Sequence, residues 1–186
     1  GTHTGAPDDG AIVECSTQCP RPDRPPSSWR ALPHGVQVRL QVFRRADGAG
    51  WALRTLAPLS RGQFVIEYVG EHVSRSEAAR RADGSYILPL LRRGQAPSTA
   101  GIDALHARNA SAFANFACTP NMATHCVLSE HWDAALPHVA FFATCDVAAG
   151  EELTYDQRVE PGFFGTEAAA ARRRCLCGFP NCRGWL

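Results

Sequence analysis

The stretch GVQVRLQVFRRADGAGWALRTLAPLSRGQFVIEYVGE, residues 35–71, carries the first clear structural pattern in the chain. Val36, Val38, Leu40 and Val42 alternate with Gln37, Arg39 and Gln41. That period of two sends one set of side chains inward and the other to water, as in a half-buried strand. ADGAG (46–50) has turn chemistry, and WALRTL (51–56) reads as the returning strand of a hairpin. A second turn from Ser60 to Gly62 precedes FVIEYVG (64–70), a third strand.

Outward from this stretch the pattern repeats. Ser74 followed by Glu77 is a capping box, and SEAARRA continues as a short exposed helix. Further strands are predicted at SYILPL (85–90), MATHCVLS (122–129), HVAFFATC (138–145) and EELTY (151–155). Gly150, Glu151 and Glu152 mark the turn before the last of them. Many short strands, separated by turns and with few helices, predict a mainly β domain of small curled sheets rather than a parallel α/β fold. Residues 1–35, rich in proline (CPRPDRPPSSW, 19–29), read as an irregular lead-in, and EAAAARRR (167–174) as a helix.

A chain of 186 residues, 45% hydrophobic and 20% charged, has the size and composition of one soluble globular domain. No apolar run reaches the roughly 20 residues of a spanning helix, and GTHTGAPDDG lacks the pattern of a signal peptide. A net charge of +1 argues against a duplex-coating protein. All basic residues are arginine, which fits a compositional bias that also explains the abundant alanine. Of the eight cysteines, Cys175, Cys177 and Cys182 lie too close together to pair readily with one another. Such spacing suits a tetrahedral zinc ion in a reducing compartment better than a disulfide framework.

Four segments, in order, resemble the SET-domain protein-lysine methyltransferases, and most of all the branch that modifies histone tails and carries a cysteine-rich post-SET tail. Residues 35–71 resemble the family's opening hairpin, its glycine-tryptophan-glycine turn and its Tyr-x-Gly segment. NASAFANFACTPN (109–121) resembles the Arg-Phe-x-Asn-His-Ser-Cys-x-Pro-Asn stretch. GEELTYDQ (150–157) resembles Glu-Leu-Thr-(Phe/Tyr)-Asp-Tyr, and CLCGFPNCRGWL (175–186) resembles the post-SET sequence. The resemblance implies small curved sheets around a knot-like crossing, with the segment of Asn115 tucked beneath that of Tyr155. It divides the chain into a lead-in with a degenerate pre-SET remnant (1–35), a SET domain (36–158) and a zinc-binding post-SET tail (159–186).

The same resemblance implies the site. Zinc would be held by Cys118, Cys175, Cys177 and Cys182; four thiolates with no open position make a structural site. Cys15 and Cys19 resemble the end of a pre-SET cluster but are too few to build one, and are read as metal-free. Cys126 and Cys145 are read as small buried apolar residues in strands. The methyl donor would be S-adenosylmethionine. Gly50, Trp51 and Ala52 would offer it backbone groups, Asn115 and the backbone of Phe116 would hold its adenosyl end, Tyr86 would line its pocket and Trp185 would cover it. Tyr68 and Tyr155 would wall a lysine channel. The hydroxyl of Tyr155 would bias the product towards mono-methylation.

Several positions depart from the family. Ala52 replaces a glycine, Arg108 a glycine, Ala112 an arginine, Phe116 a histidine, and Gln157 the catalytic tyrosine two residues after Tyr155. An amide can still hydrogen-bond, with different reach and acidity. Loss of one positioned polar group commonly costs about 10²–10³ in rate. Two readings follow. In one, the chain is a lysine N-methyltransferase in the nucleus, acting on a histone tail, with Tyr155, Tyr68 and Gln157 at the reacting centre. In the other, it is a catalytically silent SET-fold scaffold or peptide-binding module in chromatin. Neither involves direct contact with nucleic acid or membrane. Glu67, Glu71, Glu151, Glu152 and Asp156 would either attract a basic tail or form solvated surface.

Overall fold

The computed structural model describes residues 12–13, 32, 35–48, 50–90, 99–128, 137–156 and 174–184. In chain order the strands are β1 (Ile12–Val13), β2 (Leu40–Arg44), β3 (Trp51–Thr55), β4 (Phe64–Tyr68) and β5 (Glu71–Ser74). The single-turn helix α1 (Arg75–Ala78) follows, then β6 (Ile87–Pro89), β7 (Ala100–Asp103) and a 3₁₀ turn at Ala110–Phe113. The remaining strands are β8 (Asn115–Phe116), β9 (Met122–Leu128), β10 (His138–Ala143) and β11 (Thr154–Tyr155).

These strands form three sheets, in keeping with the small curled sheets expected from many short strands separated by turns. β2 and β3 make the antiparallel hairpin, in register from Leu40 opposite Thr55 to Arg44 opposite Trp51. Regular pairing begins only at Leu40. Val36 and Val38 lie beyond the end of the partner strand, where Leu56 N–H gives its last bond to Arg39 O at 2.7 Å. β5, β7 and β6 form a second antiparallel sheet in that order. The largest sheet runs β4-β10-β9-β11-β8, with β1 paired in parallel to the end of β9. That pairing gives the proline-rich lead-in one regular piece at Ile12–Val13, which its composition does not suggest.

The capping box forms as predicted: Ser74 Oγ accepts from Glu77 N, and Ser74 N donates to Glu77 Oε2 at 2.8 Å. The helix is shorter than SEAARRA suggests. It ends at Ala78, and Asp83 Oδ1 then accepts from Ser85 N, so a local side-chain turn competes with further helix. The expected strand 138–145 stops at Ala143 because the backbone turns away. Thr144 N bonds to Asn121 O, and Asp146 Oδ1 accepts from Arg61 N. Cys145 is therefore exposed, not buried as expected, while Cys126 is buried. The predicted helix at 167–174 lies largely outside the described residues.

Phe141, in the middle of β10, is fully enclosed by a core that includes Leu53, Val65, Met122, Val147 and Leu153. Burying one such side chain contributes about 1.5–3 kcal/mol. Leu153 N donates to Leu53 O at 2.8 Å and Thr55 N to Glu151 O at 3.2 Å, which fastens the hairpin to the segment entering β11. At Gly70 a side chain is impossible: a Cβ would lie 2.4 Å from Asp103 O. The chain after Tyr68 can therefore press directly on β7.

The crossing forms at β11. This strand pairs in parallel with β8 and with β9, and so lies between two strands joined only by residues 117–121. Asn121 secures it. Its Nδ2 donates to Glu152 O at 2.8 Å and to Glu151 Oε1 at 3.2 Å, and its Oδ1 accepts from Thr154 N at 2.9 Å.

Candidate functional site

The crossing brings together three groups of residues that are remote in sequence. The first is a thiol cluster. The sulfurs of Cys118, Cys175, Cys177 and Cys182 all lie within 4.8 Å of one another. Cys118 Sγ is 3.7 Å from Cys175 Sγ and 4.0 Å from Cys182 Sγ. A tetrahedron with bonds of about 2.3 Å has edges of about 3.8 Å, so the spacing is that of a zinc tetrathiolate. Backbone N–H groups of Arg183 and Gly184 point at Cys118 and Cys182, each at 3.3 Å.

Burial pushes the Cys175 thiol up to about 12. Cys177 is pulled down to about 6 against its burial, by N–H groups of Cys118 and Phe179 and by the thiols of Cys175 and Cys182. Thiols this crowded cannot all ionise without a cation among them. The four residues fit zinc, and the ion would fasten the tail to the loop after β8. A second link lies beside it, where Arg183 Nη2 donates to Asp156 Oδ1 at 2.6 Å, one residue after β11.

The second group is aromatic. Tyr155 packs against Phe116 and Phe141, with ring centroids 4.8 Å apart in each case, and Tyr68 meets Phe141 edge-on at 5.9 Å. Tyr68 and Tyr155 are 2% and 3% exposed, so both phenols sit inside apolar walls. Burial, and then the charge of Asp103, raise the Tyr68 phenol above its ordinary value. Burial also raises Tyr155, with Tyr68 adding to the effect. Both shifts favour the protonated phenol, which is no base. Tyr68 Oη donates to Tyr86 O at 2.7 Å.

The third group is a ledge around Asn115. Its Nδ2 donates to Trp51 O at 3.1 Å and to Glu152 Oε1 at 3.0 Å. Glu152 is held in turn by Arg45, whose guanidinium also bonds Asp47. Beside Asn115 the indole of Trp51 is 57% exposed, and Gly50 takes a left-handed φ of 98° at the turn. Ala52, its neighbour on the opposite face of β3, is fully buried, so the methyl that replaces a glycine hydrogen lies inside the protein. Beyond Phe113, two residues before Asn115, the guanidinium of Arg108 lies over the rings of Phe113 and Tyr86. Both Asn115 amide hydrogens are engaged within the protein, so the ledge offers flat apolar surface, the Asn115 Oδ1 acceptor and the Arg108 guanidinium. These suit a ligand with a purine, a ribose and an amino-acid end, as S-adenosylmethionine has.

The structure thus sets Gly50, Trp51 and Asn115 together, with Tyr86 joined to them through Arg108 and Phe113. Ala52 is buried behind Trp51, Phe116 packs on Tyr155, Tyr155 and Tyr68 pack on Phe141, and the four cysteines gather at the tail. Gln157 and Trp185 lie outside the described residues, as do Cys15 and Cys19. Glu151, Glu152 and Asp156 form internal hydrogen bonds and do not stand free as acidic surface. Sequence reasoning missed three positioning residues: Asn121, Asp103 and Arg183. Only Asn121 left a signal, as the last residue of a motif already singled out. Asp103 is 2% exposed and its Oδ2 lacks a hydrogen bond, with Arg81 Nη1 at 3.7 Å.

Comparison with known proteins identifies the family of the fold. Residues 50–156 match the SET domain family. The chain is 36% identical over 182 residues to the histone-lysine N-methyltransferase Su(var)3-9 of Drosophila melanogaster, covering 93% of the chain and 28% of that protein. It superposes on Arabidopsis thaliana SUVH6, solved in complex with SAM, with a TM-score of 0.79 and 31% identity, over 96% of this chain and 40% of that one. KRYPTONITE, solved with mCHH DNA, an H3(1-15) peptide and SAH, gives a TM-score of 0.66 at 33% identity, over 81% of this chain and 30% of that one. The chain spans well under half the length of these relatives. The fold, the ordered motifs and these matches agree, and the chain belongs to the SET-domain family.

Proposed function

We propose that this chain is the catalytic portion of a protein-lysine N-methyltransferase that acts on a histone tail in the nucleus. The observation that carries the reading is the joining of two surfaces. The aromatic pair Tyr68 and Tyr155 meets the Asn115 ledge through the bond from Tyr68 to the backbone of Tyr86. One surface suits an apolar lysine stem, the other a nucleoside-like donor.

When bound, S-adenosylmethionine supplies a methyl group on a sulfonium, an electrophile that needs an aligned amine and little further activation. Asn115, Trp51 and Phe116 would hold its adenosyl end, and Tyr86 would line its wall. Tyr68 and Tyr155 would hold the lysine stem and strip water from its head group. Neither phenol can accept the amine's proton, because burial keeps both protonated. That proton must leave to solvent before transfer. Gln157, two residues beyond Tyr155, would orient the nitrogen through its amide. Zinc on the four cysteines would have a structural part, closing the tail over the site. The domain limits 1–35, 36–158 and 159–186 belong to the same proposal.

A silent peptide-binding scaffold is the second reading, favoured by Phe116. Where the family carries a polar histidine, this ring packs on Tyr155 as plain apolar contact. The deciding experiment is transfer of labelled methyl to core histones by zinc-loaded protein, with the Gln157→Tyr variant in parallel. Label from the unmodified protein establishes the enzyme. Label only from the variant means one residue has silenced an intact site, and silence from both, with no donor binding, leaves the scaffold.

A further inference from the structure

The two arginine-related departures lie four residues apart, one before a short turn and one within it. Position 108 gains an arginine where the resemblance implies glycine, and position 112 loses one. Ala112 lies inside the 3₁₀ turn Ala110–Phe113, and Arg108 immediately precedes its cap, Asn109. Asn109 Oδ1 accepts from Ser111 N at 3.0 Å, and its Nδ2 donates to Glu67 O at 2.9 Å, so the backbone carrying Arg108 is anchored on both sides. Arg108 Cζ lies 5.2 Å from the Tyr86 ring centroid and 5.7 Å from that of Phe113. Contact with the two ring faces restrains the guanidinium while leaving the side chain exposed.

The charge is available. Among the described residues no carboxylate forms an ion pair with Arg108. Arg45, which also borders the ledge, is already bonded to Asp47 and Glu152. A planar guanidinium with parallel N–H donors matches a carboxylate in a two-point contact. The amino-acid end of S-adenosylmethionine carries such a carboxylate, and Tyr86 belongs to the wall assigned to that donor.

We propose that Arg108 is the anion-binding residue for the donor's amino-acid carboxylate. The proposal rests on the reading of the ledge as a donor site.

The test is calorimetric titration of zinc-loaded protein with two probes. S-adenosylhomocysteine keeps the carboxylate, whereas 5′-methylthioadenosine keeps the adenosyl thioether and lacks the amino-acid end. Arg108→Gln and Arg108→Ala are expected to weaken S-adenosylhomocysteine by roughly tenfold or more, the scale of a charge-assisted contact, and to leave 5′-methylthioadenosine unchanged. Arg108→Lys, which keeps the charge but not the two-point geometry, is expected to retain part of the affinity for S-adenosylhomocysteine. Equal weakening of both probes by Arg108→Gln and Arg108→Ala, or no change in either, would overturn the proposal. Failure of the unmodified protein to bind either probe would remove the donor reading itself, and the proposal with it.

Discussion

Tyr68 Oη donates to the backbone carbonyl of Tyr86 at 2.7 Å, and the same carbonyl also accepts from Ala104 N at 3.1 Å. The first bond links the aromatic pocket to the donor ledge; the second ensures that the carbonyl keeps a partner without it. Tyr68→Phe should therefore cost only about 0.5–1.5 kcal/mol, the net worth of one hydrogen bond, rather than the larger cost of an orphaned buried group. Urea unfolding with an unchanged slope would check this. A loss well above that range would show that the hydroxyl does more than bond Tyr86.

The buried phenols also set an alkaline limit. Tyr68 and Tyr155 both have folded values raised above the ordinary 10.0. The unfolded chain therefore releases these protons first, and above about pH 10 it binds fewer protons than the native state. Stability is complete below the ordinary phenol value and falls as pH rises towards the folded values. Thermal melts between pH 9 and 11.5 should show this decline. The Tyr68→Phe and Tyr155→Phe variants should each decline less steeply than the unmodified protein, and equal slopes would refute the assignment.

How much of this was legible in the sequence depended on the range of the interactions. The hairpin 40–55 and the capping box at Ser74 are local, and periodicity or spacing reveals them directly. β8 and β11 have two residues each and make no periodic pattern. They exist because the crossing supplies partners from distant segments, and only the resemblance anticipated it. The thiol cluster was legible in part: the spacing of Cys175, Cys177 and Cys182 suggested a metal, while Cys118 came from the family motif. Asp103 and Arg183 carried no signal, since a single charged residue acquires meaning only from its neighbours in space. Cys145 was misread because a strand's end is set by the turn that follows it, here through Asp146 and Arg61.

Zinc should be retained at one ion per chain and be needed for the tail to stay attached. Among the described residues the tail meets the domain at few other points, chiefly Arg183 to Asp156 and Thr119 to Asn181. Both are largely exposed pairs, worth at most about 1 kcal/mol each. Chelation, or Cys182→Ser, should therefore free residues 174–184 to proteolysis while the core around Phe141 stays folded. Loss of the whole domain on chelation would mean the metal supports the core as well.

Asn121 offers the most direct test of the crossing. Its side chain is 8% exposed and bonds Thr154 N, Glu152 O and Glu151 Oε1. Asn121→Ala leaves a backbone donor and a backbone acceptor without these partners, where water has little access. At about 1–3 kcal/mol for each unpaired group, the expected loss is roughly 2–6 kcal/mol. Asn121→Asp keeps the acceptor for Thr154 but cannot donate to Glu152 O, and it sets a carboxylate beside Glu151. It should rescue nothing at neutral pH and gain relative stability as acid protonates it. Denaturant unfolding at pH 5 and pH 7.5 measures both variants. If Asn121→Ala costs under 1 kcal/mol, the β11 insertion is held by its strand pairing, and this side chain is not what locks it.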